Sequence, residues 1–185
     1  MVQNEKFDVL QKYSLFQEWF NNLTDAQRYR VREALSEDRA VEHPMLWSLQ
    51  GALDGVHQEG AISALVLAAN CIRRGYKDFP DLPEDIHLNA LCKQSGASLK
   101  KSLDLVKTPV TKEKYRVRLL EPRMLVGDPH HLRAFRNTIA EVVSLGLSKR
   151  SMQGLFLLTC IGHGIYEQHL ESFLSGFYKI SEEEM

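Results

Sequence analysis

The chain is predicted to be all-helical, on three observations: apolar residues recur at helical spacing almost throughout, caps and prolines punctuate that spacing, and no stretch has an evident partner strand. Tyr13, Phe16, Trp19 and Phe20 recur at i, i+3, i+6 and i+7. They form the stripe of an amphipathic first helix starting near Phe7 and broken by Asn21 and Asn22. Thr24 followed by Gln27 is a capping box, so a second helix starts there and carries Val31 and Leu35 inward. His43-Pro44 starts another helix, with Met45, Leu46, Leu49 and Leu53 on its apolar face. Ile62, Leu65, Val66 and Ala69 supply the face of the next. After Gly75, the stretch YKDFPDLPEDI carries two prolines and four acids and is expected to be an exposed loop. Helical spacing resumes at Leu88 and Leu91 and is expected to stop near Gly96. The stretch VKTPVTKEK, with Pro109 before Thr111 as a cap, is the expected boundary between two small helical bundles, 1–108 and 109–185. YRVRLL alternates like a strand, but with no partner strand it is read as helix. Asp128-Pro129 is a strong helix start. Behind it Leu132, Phe135, Ile139, Val142 and Val143 fall on one arc. Ser148 opens the next helix, and the last begins near Gly164, with Tyr166, Leu170, Phe173 and Phe177 in a stripe before the acidic tail ISEEEM.

Composition narrows the function classes. With 185 residues and 44% hydrophobic content, the chain can build a core without staples. A charged fraction of 25% and a mean hydropathy of -0.28 argue against a disordered chain or a membrane protein. The N-terminus MVQNEKFDVLQKY lacks the apolar stretch of a secretion signal, so a cytoplasmic location is expected. Cys71, Cys92 and Cys160 are widely spaced and odd in number, which signals neither disulfides nor zinc and suits buried thiols. His130-His131, and His163 with His169, lack the i, i+4 spacing that lets two imidazoles on a helix share a metal. There is no G-x-S-x-G, P-loop or G-x-G-x-x-G, so no enzyme, cofactor or metal is expected.

Charge is segregated. Between Lys100 and Arg136 lie ten basic residues, Lys107 among them, against four acids, a local charge of +6 in a chain whose total is -1. That asymmetry lets a protein neutralise phosphates locally and stay soluble overall. A second group, Arg28, Arg30 and Arg32, places Arg28 and Arg32 on one helical face. Without a zinc finger or an RNA-recognition motif, such cations would hold the backbone of a nucleic acid, a sequence-tolerant mode of binding. An ordinary solvated helical face would show the same charge pattern.

The order of these blocks resembles the CasB-type small subunit of the type I-E CRISPR Cascade surveillance complex. SLFQEWFNNLTDAQRYRVREALSEDRAVEHPMLWSL is similar to that family's opening, a Trp-bearing helix, an Arg-rich helix and a short acidic turn into a Pro-containing helix. IHLNALCKQSG resembles its central Leu-x-x-Ala-Leu block, RLLEPRMLVGDPHHLRAFRNTI its Arg-led helix, acidic turn and second helix, and LESFLSGFY its aromatic ending. The sequence departs from the family at Asn137, where a second Arg is usual, and in SLGLSKRSM, which lacks an Asp-Trp pair. The resemblance implies two helical bundles, no catalytic site, and two copies lying beside guide RNA, target DNA and displaced strand among the other Cascade subunits. It puts Arg28, Arg32, Arg116, Arg118, Arg123, Arg133 and Arg136 on nucleic acid. Charge density adds Lys100, Lys101, Lys112 and Lys114. Two other functions fit the composition. A helical DNA-binding regulator would read base edges in a major groove, and a helical interaction scaffold would bind no nucleic acid.

Overall fold

A computed structural model describes residues 9–54, 56–120, 129–161 and 167–183, and every regular element among them is a helix. In chain order these are α1 (Val9–Asn21), α2 (Asp25–Arg32), α3 (Glu37–Ala40), α4 (Pro44–Ala52), α5 (Gln58–Arg74), α6 (Leu88–Leu103), α7 (Pro109–Leu120), α8 (Pro129–Ser144), α9 (Lys149–Ile161) and α10 (Glu167–Glu183). Nothing in them is long and apolar enough to cross a membrane.

The local signals act as physics requires. The Thr24 hydroxyl accepts from the Gln27 amide at 3.2 Å while the Gln27 side chain accepts from the Thr24 amide at 2.9 Å, closing the capping box of α2. His43 caps α4 through its Nδ1, which accepts from the Met45 amide at 3.1 Å, with Pro44 in the first turn. Gly75, at φ +95°, ends α5 in the left-handed conformation that glycine adopts without strain.

α5 forms the centre of the molecule. Gly60 through Cys71 are buried without a break, as expected of a helix apolar on all sides. It packs against α2, α3 and α4 on one hand and against α8 and α9 on the other. A single buried cluster runs from Val9 to Phe177, so helices on either side of residues 108 and 109 share one core. Cys71 and Cys92 are buried free thiols within it.

Three expectations give way. Helix α6 runs through Gly96 to Leu103 instead of stopping near it. Gly96 is there for proximity: a Cβ on it would collide with the Phe173 carbonyl of α10, and one on Gly176 with the Lys93 carbonyl of α6. The two glycines let α6 and α10 touch backbone to backbone, and these helices form the most extensive pair in the molecule. Second, the stretch after Gly75 is anchored, not simply exposed. Phe79 is 1% exposed and sits among Tyr13, Phe16, Phe20 and Phe156. Asn21 accepts from the Phe79 amide at 2.8 Å, Gln17 donates to its carbonyl at 3.1 Å, and Gln153 donates to the Asp81 carbonyl at 2.9 Å. The Tyr13 hydroxyl donates to the Pro80 carbonyl, and burial raises its pKa above the ordinary tyrosine value. Third, α7 begins at Pro109, which places Thr111 inside the helix and not at its cap. Phe7, Asp128, Gly164 and Tyr166 lie outside the described residues.

Candidate nucleic-acid interface

The basic stretch gathers at one corner, where the end of α6 meets α7. Lys100 and Lys101 occupy the last turn of α6, where a cation also offsets the helix dipole. Lys107 is exposed in the link, and Lys112, Lys114, Arg116 and Arg118 ride on α7. This surface helix buries only Leu119 and Leu120, because its sequence alternates charge with apolar residues and has no continuous stripe. Polar ties hold it in place. Lys112 pairs with Asp104 at the C-cap of α6, and Arg116 donates to the Tyr178 hydroxyl on α10.

The two acids of this corner are already engaged. Asp104 takes Lys100 at 2.6 Å and also Lys112. Partial burial pushes its carboxyl up, but the two ammonium groups together outweigh it and hold its pKa below the usual aspartate value. Glu113 accepts two bonds from one edge of the Arg116 guanidinium, Nε to Oε2 at 2.9 Å and Nη2 to Oε1, which lowers its pKa and raises that of the arginine. Residues 100–120 carry seven basic groups against these two acids, a surplus of +5. Among the described residues, no carboxylate lies within ion-pair distance of Lys101, Lys107, Lys114 or Arg118. Lys107 joins this set although charge density had not singled it out; its exposure in the link is the reason.

The remaining arginines part company with this corner. Arg136 is 2% exposed: Nη1 pairs with Glu37 at 2.6 Å, Nε donates to Ser63 at 3.0 Å and Nη2 to the Glu59 carbonyl at 3.2 Å. Its expected place on nucleic acid is corrected: this guanidinium joins α8 to α3 and α5 from inside. Burial lowers its pKa, and Glu37 opposes the shift. Arg28 is also employed internally, donating to the Phe20 carbonyl at 2.9 Å and the Leu23 carbonyl at 3.2 Å while lying over the Phe20 ring. It thus ties the last turn of α1, where the Phe20 carbonyl also accepts from the Leu23 amide, to the start of α2. Arg133 is exposed but faces Glu37 and Asp38, each at 3.5 Å. Arg32 is exposed at the end of α2. Arg123 lies outside the described residues.

Next to the corner, a cavity of about 460 Å³ opens between α7 and α8. Val110, Val117 and Ala134 make it largely apolar; Lys114 and Arg118 stand on the α7 side, with Glu113 and the His130 and His131 rings completing the lining. Val110 and Val117 are seven residues apart and share a face of α7, a spacing visible in the sequence but hidden there by the charges between them. No family model, curated protein or solved structure matches the chain.

Proposed function

We propose that this chain belongs to the class of helical proteins that bind the backbone of nucleic acids and perform no catalysis. The particular role it fits is that of a small subunit in a Cascade-type CRISPR complex in the cytoplasm. There it would lie with a second copy and the other subunits along guide RNA, target DNA and the displaced strand. The observation that carries the reading is the cationic surplus of residues 100–120: among the described residues no carboxylate pairs with Lys101, Lys107, Lys114 or Arg118, and Asp104 and Glu113 are already neutralised. The block order that resembles the CasB-type family supports the finer assignment. In such a complex, base pairing supplies sequence specificity and the protein holds backbones. Opening the target exchanges one duplex for another of similar stability, so a few phosphate contacts tip the balance.

The test is affinity for a labelled single strand as a function of salt. Four phosphates at roughly -0.7 each give a log–log slope of about -3. Reversing Lys101, Lys107 and Lys114 to Glu should abolish most of the binding. Reversing Asp78 and Glu84 to Lys, in the anchored stretch, should not weaken it. Salt-independent affinity, or an unaffected triple variant, would remove the corner from the function. Protection of one particular sequence would indicate a base-reading regulator.

A further inference from the structure

We infer that the trough between α7 and α8 receives one unstacked base of a single strand while Lys114 and Arg118 hold its phosphates, an inference that rests on the backbone-binding reading above. Its volume, about 460 Å³, falls among the roughly 300–1,000 Å³ of sites that take small planar ligands. The walls and rim ask for different parts of one ligand. Val110, Val117 and Ala134 offer an apolar surface to a flat, weakly solvated group, and His131 adds a ring. Lys114 and Arg118, on the same helix as the two valines, offer cations to an anion bonded to that group. A nucleotide carries a flat base and a phosphate at the spacing of one sugar, and in a single strand the base is free to turn out of its stack. In a duplex the base is paired and stacked, so the trough would favour single strands over what the charged corner alone prefers.

The geometry also explains why Val110 stays 78% exposed on a helix that has few apolar residues to spare. An exposed valine at the mouth of an apolar trough costs little in the free chain and gains a partner when a base enters. The acid in the lining does not oppose the phosphate, since Glu113 is held by Arg116.

The experiment uses the full chain and two labelled single strands of equal length, one with bases and one wholly abasic, titrated by fluorescence anisotropy. The intact strand should bind roughly tenfold more tightly, the scale of one base stacked on a protein surface. Ala134→Leu, which fills the trough without changing charge, should bring the intact strand down to the abasic affinity. Val110→Asn, at an exposed position that folding tolerates, should reduce the preference in the same direction. Equal binding of both strands by the unaltered protein overturns the base-receiving trough and leaves backbone binding standing. Binding of neither strand overturns both. A folded Ala134→Leu variant that keeps the full preference overturns this location for the base.

Discussion

Arg136 carries its charge into the interior, and what it touches there decides what its loss would do. Removing the guanidinium takes the close partner from the Glu37 carboxylate, leaving it only Arg133 at 3.5 Å, and leaves Ser63 without its donor. Breaking such a pair from one side is costly, so Arg136→Met is expected to lower the unfolding free energy by about 3 kcal/mol in urea denaturation. Single-strand affinity, measured where the variant is folded, should not change; a loss there would return Arg136 to the interface. Asp104 has the opposite character. Asp104→Asn releases Lys100 and Lys112 and should tighten binding at low salt, with a slope steeper by about 1. Its depressed folded-state pKa contributes stability that is present above the unfolded value and lost as pH falls through the folded one. The α6–α7 tie should therefore loosen only in acid, below about pH 4. For the thiols of Cys71 and Cys92, burial pushes the pKa up to about 12, which leaves little thiolate near neutrality. Alkylation at these two sites, followed by mass spectrometry, should be slow in the native protein and fast in urea.

At the scale of elements, the α6–α10 contact reverses the usual arithmetic of helix propensity. Gly→Ala inside a helix ordinarily gains up to about 1 kcal/mol. Here Gly96→Ala or Gly176→Ala must push two backbones apart, and each should instead lose about 1–3 kcal/mol or more in thermal or urea unfolding. Gain of stability in either variant would mean that the helices do not touch as described. The same pair shows why helix ends were harder to read than helix faces. The stripes of α1 and α8 follow from periodicity because burial acts on every turn, and Thr24, His43 and Pro44 mark starts through their effects on their own neighbours. Gly96 serves a partner almost eighty residues away, and a glycine that ends a helix looks the same in sequence as one that admits another helix. Among the basic residues the limit is similar. Spacing places Arg28 and Arg136 on helices, but only the fold brings the Phe20 carbonyl or the Glu37 carboxylate to them.

Across the whole molecule, α5 makes the two halves of the chain interdependent. It lies before residue 108 yet is covered by α8 and α9 from beyond it, so cutting there would expose the most continuous apolar surface in the protein. Unfolding in urea should show one transition. Trp19 and Trp47, both in the first half, should report the same midpoint by fluorescence as the helices of the entire chain do by circular dichroism. Separate midpoints would show two independently folding bundles. Charge is segregated at this scale as well: a total of -1 coexists with +5 in residues 100–120, so the rest of the sequence carries -6. On the proposed backbone-binding reading, that segregation would orient the chain on a polyanion before any contact forms.

The Phe79 segment has a dynamic consequence. Its backbone belongs to no helix, so it cannot fray one turn at a time as a helix end does. Side chains from α1 and α9 grip it on both sides, and its ring fills the middle of an aromatic cluster. Leaving would empty that cluster at once. In deuterium exchange, the Phe79 amide should therefore keep its proton about as long as the slowest amides of α5, although it sits between helices.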